Sequence, residues 1–523
     1  MAERLLFKGV FVLIIISIAV FALEQNGYAH NLRVSNVSLT SQDSVNSTIA
    51  VKYDIAWSNS WRNNINYDAV WVFVKYSADA GFTWRHATLK SAGANPSGFS
   101  RGYGTNIDIV VPGDKKGCFI QRSAVGVGEV DAYNIQLIWD WATDGLSGAS
   151  SVRVKVFGIE MVYVPSGSFY IGDGNGGSES AGAFHVGGGN SAAQVTTSLT
   201  ANIRVDANSY DDSQLENNGI GIDGDNGLDT DNNGVVDNAA FPTGYNAFYC
   251  MKYEISEGQW ISFFNTLNNL EKIKRDITAS GGKNSDAVLN RNTVSWSSGD
   301  AVSSREDRAC TYFSWMDLCA FSDWACLRPM SELEFEKAAR GSISSNYSEY
   351  AWGNTTVTSA TTISGLENGT ETITNSGANC NYNNEAFTNG DGGTGPLRVG
   401  IFATADSRRI DAGAGYYGAM ELSGNVWERV VSVGNVTGRS FSATHGDGVL
   451  ESVLGYEGNA TNNDWPGYSA GQGISGAAGS GSRGGSWLEI TPAKMSISDR
   501  SEASLTAAGR AQDTGGRCVR TAP

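Results

Sequence analysis

One loop-forming stretch constrains the fold more than any other part of the chain. Residues Gly415 to Arg429 read GYYGAMELSGNVWER, with two adjacent tyrosines, three spaced glycines and a Gly-Asn-x-Trp-Glu ending. This pattern suits neither a plain helix nor a plain strand; it indicates a tightly bent loop whose carboxylates point inward. Such a loop usually holds an ion or forms a buried turn.

The length of the chain predicts two domains. It has 523 residues, which is long for one domain and enough to bury a large core. Hydrophobic residues make up 41% of it, and 64 glycines stand against 9 prolines. These proportions indicate a globular protein with many glycine turns, not a disordered chain.

The first 29 residues are typical of an export signal. Arg4 and Lys8 precede an apolar run from Gly9 to Leu23, and Gly27-Tyr28-Ala29 offers a cleavage site. The alternative is an uncleaved membrane anchor, but the apolar run is shorter than the roughly 20 residues of a spanning helix. We therefore expect a secreted or cell-surface protein that begins near His30 and is not inserted in a membrane.

The formal net charge of -17 limits the classes of partner that the chain is expected to bind. Strong negative charge argues against nucleic-acid phosphates and anionic lipid surfaces, and it favours cations or simple solubility. The seven cysteines are odd in number and form no CxxC pair, so a zinc site is not expected. Export permits disulfides, but at least one cysteine must stay unpaired within the chain, and we expect this to be Cys118.

Residues 30–157 are predicted to form an immunoglobulin-like β-sandwich. Apolar residues alternate with polar ones from Val51 to Trp57, and Ala69 to Tyr76 is rich in β-branched and aromatic residues. Further strands are expected at Ile107–Val111, Asn134–Trp139 and Val152–Phe157. His86 lies beside Trp84 on a predicted strand, and a packed or surface histidine is favoured over a site there.

A second domain is predicted from residue 158 to residue 523. Residues 173–244 are rich in Gly, Asn, Asp and Ser and contain a possible calcium loop, whose oxygens at alternate positions belong to Asp229, Asp231, Asn233 and Asp237. Ala240 occupies the twelfth position and no helices flank the loop, so it is not an EF-hand. The alternative is a solvated acidic loop.

Three helices follow in the second domain. Ser256 is the predicted cap of the first, and the second is expected at Trp315 to Trp324. Ser331 and Glu334 form a capping box for the third helix, which Gly341 ends. From Ala351 onward the chain is mostly glycine-rich loops.

Several motifs in order resemble the formylglycine-generating-enzyme (sulfatase-modifying factor) domain family. They are Met161–Gly172, Tyr253–Ser256, Leu327–Gly341, Tyr350–Asn354, Leu422–Glu428, Arg483–Trp487 and Gly516–Cys518. The resemblance implies an irregular, C-type-lectin-related α+β domain over residues 158–523. The segment 173–244 is similar to an insertion into that domain.

The resemblance implies copper chemistry that the residues here do not match. Enzymes of this family oxidise a substrate cysteine to formylglycine with copper held by two cysteines, the second in an Arg-Cys-x-x-Arg segment. Here Arg500 matches the final arginine, but Ile497 falls where the second cysteine should be. Copper(I) needs soft thiolate ligands, so copper is not expected as a cofactor.

The two calcium sites of the family carry over better. One site resembles Asn379, the carbonyl of Cys380, Asp391 and the carbonyl of Gly393. The other resembles Glu421, the carbonyls of Gly424 and Val426, and Glu428. The alternative for Glu428 is a carboxylate that caps buried backbone amides.

The resemblance also implies a pairing for Cys518 that this chain does not offer directly. The family partner of this terminal cysteine sits where the chain has Ser322, and Cys319 or Cys326, a helical turn away, could substitute. A free buried thiol is the alternative.

The function predicted from the sequence is a non-catalytic binding or structural protein that is stabilised by calcium. Its ligand would be a protein or a glycan, or another copy of the chain in self-assembly. Trp487, Arg500 and Arg510, between Arg483 and Arg520, are the candidate ligand contacts, with packing or salt-bridge roles as the alternative for each. The competing hypothesis is a copper-dependent oxidoreductase that converts a partner's cysteine to formylglycine, with Cys518 and another cysteine forming an atypical site.

Overall fold

The computed structural model describes residues 32–148, 150–173, 182–184, 192–197, 228, 236–404, 406–503 and 506–523. The predicted export signal lies outside these residues. So do Asp229, Asp231 and Asn233 of the predicted calcium loop, of which only Asp237 is described. Within the described part, the chain is mostly β-structure with short helices.

Two sheets organise the N-terminal half of the described chain, and the second of them continues into strands of the C-terminal half. The first has the strand order β1 (Arg33–Asp43), β2 (Thr48–Arg62), β9 (Gly126–Asp140) and β6 (Tyr103–Gly104). The second has the order β14 (Arg328–Pro329), β22 (Cys518–Thr521), β13 (Phe248–Met251), β10 (Arg153–Val164), β3 (Asp68–Ser77), β8 (Cys118–Arg122), β7 (Ile107–Val111) and β5 (Gly93–Ala94), with β4 (Arg85–His86) also paired to β3. Strands predicted from alternation are confirmed in β2, β3, β7, β9 and β10.

Strand β3 is buried along its whole length because each of its faces meets a different core. Val70, Val72 and Val74 join residues of the first sheet in one apolar cluster. Trp71 and Phe73 point to the other side, where they pack with the helices of the C-terminal half. A strand in such a position carries apolar residues at successive positions, which explains its near-continuous β-branched and aromatic sequence.

The two halves share one continuous strand. Residues 153–162 of β10 pair with β3, and residues 161–164 pair on the other edge with β13. The predicted domain boundary between residues 157 and 158 therefore falls inside a strand. Main-chain hydrogen bonds thus connect the N-terminal sheets directly to the C-terminal half.

The three predicted helices are present, and two short helices were not predicted, the one at Asn269–Arg275 and the one at Val436–Arg439. In chain order they are α1 (Glu257–Phe264), α2 (Asn269–Arg275), α3 (Trp315–Trp324), α4 (Glu332–Arg340) and α5 (Val436–Arg439). Ser256 and Ser331 cap α1 and α4 with complete capping boxes, and Gly341 ends α4 at a φ of 72°. The bounds predicted for α3 are confirmed. In the described part of the chain, no helix is both long and apolar enough to cross a membrane.

Small sheets and loops complete the C-terminal half. The short strands are β11 (Phe169–Ile171) with β12 (Ala193–Val195), β15 (Ile363–Ser364) with β16 (Thr372–Ile373), β18 (Tyr468–Ser469) with β19 (Gly473–Ile474), and β20 (Ser480–Arg483) with β17 (Trp427–Val431) and β21 (Thr514–Gly515). A 3-10 helix spans Pro492–Met495. This region is irregular, as the glycine-rich sequence predicts.

All seven cysteines, including Cys118, are buried free thiols. The Sγ of Cys518 lies 3.0 Å from the hydroxyl oxygen of Ser322, the position of the expected family partner. The Sγ of Cys326 lies 3.3 Å from Nδ1 of His86, which is itself buried and stacked on Phe73. His86 is therefore a packed residue between the two halves, as favoured from the sequence.

Candidate functional site

The loop from Gly415 to Arg429 bends tightly and turns its carboxylates inward, as its sequence predicts. Glu421 and Asn425 have left-handed backbones, with φ of 54° and 65°. Gly424 has a φ of 88°, and a Cβ at this position would lie 2.4 Å from the Sγ of Cys380, so only glycine fits. The Asn425 side chain accepts hydrogen bonds from Asn381 Nδ2 and from Leu397 N.

Three buried carboxylates meet at this loop. Glu428 binds Arg517 through Oε1, at 2.5 and 2.7 Å, while its Oε2 is buried without a hydrogen-bond partner. Glu421 accepts a hydrogen bond from Gly400 N through Oε1, and its Oε2 is likewise buried and unpartnered. Glu254 accepts hydrogen bonds from Val426 N at 3.1 Å and from the Asn425 side chain.

Within the described part of the chain, this carboxylate cluster contains more acidic than basic side chains. Burial, together with the neighbouring charges of Glu421 and Glu428, raises the pKa of Glu254 well above its usual value. Burial also raises the pKa values of Glu421 and Glu428, although Arg517 opposes this. Arg517 forms a salt bridge with Glu428, and Arg398 acts on Glu421 without a described salt bridge to it. Buried carboxylates that are not fully paired are costly unless a proton or a cation neutralises them.

The residues present fit a calcium ion at the second predicted site. The two unpartnered oxygens belong to Glu421 and Glu428. These are the two side chains that the resemblance to the family implies as calcium ligands. No three His, Cys, Asp or Glu side chains in the described ranges form a metal-binding group by themselves. The carbonyls of Gly424 and Val426 would therefore have to supply the remaining oxygens, and carbonyl ligands are usual for calcium.

Glu254 is a member of the cluster that sequence reasoning missed. It lies in the Tyr253–Ser256 motif, which contributed to the family resemblance and to the predicted helix cap but was assigned no site residue. Glu254 is completely buried, and it holds the backbone of the loop at Val426. A glutamate at the end of a buried strand was the available signal.

The first predicted calcium site is occupied by other contacts. The Asp391 carboxylate binds Arg291 at 2.6 Å and Arg308 at 3.1 Å, and it accepts a hydrogen bond from Gly393 N. The Asn379 side chain bonds backbone groups of Thr358, Thr356 and Ile410. Two guanidinium groups beside Asp391 would repel a cation, so the geometry gives no support for calcium at this place.

Of the three candidate ligand contacts near the C-terminus, Trp487 and Arg500 lie in the interior and Arg510 is partly buried, which corrects their assignment. Trp487 is 2% exposed and packs in an apolar cluster with Tyr253 and Val426. Arg500 is fully buried, where it binds Glu332 at 2.7 and 3.0 Å and lies over the ring of Phe184. Buried side chains cannot touch a macromolecular ligand, so Trp487 has a packing role and Arg500 a salt-bridge role.

Arg510 is the third of these candidates, and its contacts are also internal. Its guanidinium bonds both oxygens of the Asp317 carboxylate at 2.7 and 2.9 Å, and it donates to the backbone carbonyl of Asp276. Burial alone would raise the pKa of Asp317, but Arg510 and Arg275 hold it at about 2. The pair therefore stabilises the fold rather than offering a contact surface.

The substitution Arg510→Gln is expected to reduce the free energy of unfolding by about 3 kcal/mol, because it breaks the ion pair with the buried carboxylate of Asp317. The lowered pKa of Asp317 means that its stabilising contribution is present above pH 4 and is lost as the pH falls towards 2. Urea unfolding of both proteins at pH 7 and pH 3 measures this, and the difference between them should shrink at pH 3. An equal difference at both pH values would contradict this role.

The arrangement defines the class of protein: an irregular α+β domain that is held by a buried carboxylate loop and joined to N-terminal sheets. Residues 150–522 match the family described as the sulfatase-modifying factor enzyme 1-like (FGE-sulfatase) domain, and the chain belongs to this family. A curated relative is the formylglycine-generating enzyme of Thermomonospora curvata, 28% identical over 130 residues. The match spans 25% of this chain and 35% of that relative's length.

Proposed function

We propose that the protein is an exported, calcium-stabilised, non-catalytic binding protein, in which an immunoglobulin-like sandwich precedes a domain of this family. The observation that carries the proposal is the state of its thiols. Ile497, where the second copper cysteine is expected, is fully buried, and its carbonyl accepts a hydrogen bond from Arg483. An isoleucine side chain has no donor atom for a metal.

The other thiols do not compensate for this missing ligand. Every cysteine of the chain is buried. Burial raises the pKa of Cys518 and of Cys250 to about 12, although Ser322 lowers the former and Arg517 the latter. A thiolate is the form that binds copper or attacks a substrate, so a buried thiol with a raised pKa is poorly suited to either step.

Calcium is the second part of the proposal, and the unpartnered oxygens of Glu421 and Glu428 support it. One calcium ion would neutralise the excess charge of the cluster and fix the Gly415–Arg429 loop. Export is supported by the apolar segment at residues 9–23, which follows the basic residues Arg4 and Lys8. The ligand would be a protein or a glycan.

A copper titration of the reduced mature protein tests the non-catalytic assignment. We expect no stoichiometric binding of copper(I) when it competes with a thiol-free chelator of known affinity, because no thiolate pair is accessible. The matched control is the same titration after unfolding in urea, which exposes the seven thiols and should produce binding. Tight binding of one copper(I) by the folded protein would overturn the proposal.

A further inference from the structure

A groove lies at the junction of the two halves. It has a volume of about 580 Å³, and it lies between the end of β2 and the loop of residues 406–420. We call it the junction groove and define it by Trp61, Lys252, Tyr253, Arg408, Arg409 and Tyr416. We propose that the junction groove binds an acidic saccharide, such as a chain of uronic acid residues.

The walls of the groove are held in place by contacts between the halves. The side chain of Asn66 donates a hydrogen bond of 2.7 Å to the carbonyl of Tyr417, and this bond is buried. The Trp61 ring packs on Gly418, where an added Cβ would lie 2.8 Å from the ring and where φ is 94°. A pre-formed site of this size is in the range of small-ligand pockets, and it loses little entropy when a ligand binds.

Aromatic rings supply flat apolar surfaces inside the groove. Trp61 and Tyr416 are partly exposed, and the Tyr417 ring lies edge-on to Tyr416 at 4.9 Å between centroids. Lys252 lies 5.0 Å over the Trp61 ring and Arg409 lies 5.3 Å over the Tyr416 ring, so the C–H groups of a pyranose ring would pack on the parts of these rings that stay exposed beside the cations. The hydroxyls of the sugar need polar partners. Asn59, Asn63 and Ser407 line the same groove and can supply these hydrogen bonds.

The charge of the groove contrasts with that of the whole chain. Its charged lining residues are Lys252, Arg408 and Arg409, and no Asp or Glu of the described chain lines it, although the net charge is -17. Lys252 is already paired with Glu160 at 3.1 Å and Asp68 at 3.5 Å. Among the described residues, Arg409 has no carboxylate partner, and Arg408 is paired with Asp411 through Nε alone, so these two guanidinium groups remain to attract an anion.

These two arginines differ in their contacts. Arg409 donates to the carbonyls of Ala339, Ala351 and Ala414, and no carboxylate of the described residues forms a salt bridge with it. The Arg408 side chain is 81% exposed and binds Asp411 through Nε. An arginine at the rim of a groove can hold a carboxylate with two parallel hydrogen bonds, which favours a ligand that carries carboxylates.

The topology favours a saccharide over an acidic peptide. Peptides commonly bind by adding a strand to a free sheet edge, but β2 is hydrogen-bonded on both sides, to β1 and β9. The opposite wall is an irregular loop with no strand. This inference rests on the proposed function, since it names the class of ligand that the binding protein would take.

The test is calorimetric titration of the full mature protein with calcium present. The probes are tetramers of galacturonate, mannuronate and glucuronate–N-acetylglucosamine, a neutral galactose tetramer and a glutamate-rich peptide. We expect at least one uronate to bind, and the neutral tetramer to bind about tenfold more weakly, the value of one charge-assisted bond. The proposal is overturned if no uronate binds, or if the neutral tetramer or the peptide binds as well as the best uronate.

Two variants locate the binding. The variants Arg408→Gln and Tyr416→Leu should each weaken uronate binding about tenfold. The melting curve of Arg408→Gln should be unchanged, because this side chain is exposed. Arg101→Gln, at another exposed arginine that is paired with an aspartate, is the matched control and should bind normally. Unchanged binding by Arg408→Gln would overturn the assignment of this groove. Turnover of a cysteine peptide would refute the proposed function independently, whereas absent sugar binding without turnover refutes only this inference.

Discussion

Removal of calcium from the mature protein is expected to lower its thermal midpoint by several degrees. The reason is that one side-chain oxygen of Glu421 and one of Glu428 are buried without a hydrogen-bond partner, and the ion would bind them. An ion present at about 1,000 times its dissociation constant stabilises the folded state by about 4 kcal/mol. Melting curves recorded with EGTA, and again after addition of calcium or magnesium, measure the effect; magnesium should restore less, because it tolerates fewer and more rigidly placed ligands.

A pair of variants separates the two predicted calcium sites. Glu421→Gln keeps the shape of the side chain and removes a charge, so its melting curve should respond much less to EGTA. Asp391→Asn is the matched control at the place where Arg291 and Arg308 already bind the carboxylate, and it should keep the full response. A wild-type melting curve that EGTA leaves unchanged would remove calcium from the account.

Loss of the Glu332 carboxylate is expected to destabilise the fold by about 3–5 kcal/mol, or to prevent folding. Glu332 is fully buried, and it binds Arg483 at 2.8 Å, Arg500 at 2.7 Å and the backbone N–H of Val433. In Glu332→Gln both guanidinium groups would stay buried without this counter-charge. Urea unfolding of the purified variant, or the soluble yield if it does not fold, measures the effect.

The control for this variant is an ion pair at the surface. Asp300→Asn removes the partner of Lys272, but the Asp300 side chain is 73% exposed, so solvent screens the pair. Surface pairs contribute at most about 1 kcal/mol, and this variant should unfold almost as the wild type does. Equal stabilities of the two variants would show that the buried network is not a main support of the domain.

Local features of the fold could be predicted from the sequence, because short-range contacts decide them. The caps at Ser256 and Ser331 and the bounds of α3 depend on residues within one turn. Alternation likewise located β2 and β7. The bend of the loop from Gly415 to Arg429 was predicted correctly for the same reason, because the glycines and left-handed residues of the loop itself determine the bend.

Features that depend on distant partners could not be predicted. The role of Arg500 is set by Glu332, which lies 168 positions earlier, so nothing near Arg500 showed that it is buried. Strand β10 crosses the predicted boundary because its two edges pair with β3 and β13, far apart in the chain. The junction groove joins Trp61 to Tyr416 in the same way.

The central claim is that this member of the family has kept the fold without the cysteine chemistry. Its most direct test is incubation of the copper-treated, calcium-loaded mature protein with a cysteine-containing peptide, a thiol reductant and oxygen, followed by mass spectrometry of the peptide. We expect the peptide to be unchanged relative to a copper-only control. Catalytic conversion of the cysteine to formylglycine would contradict it.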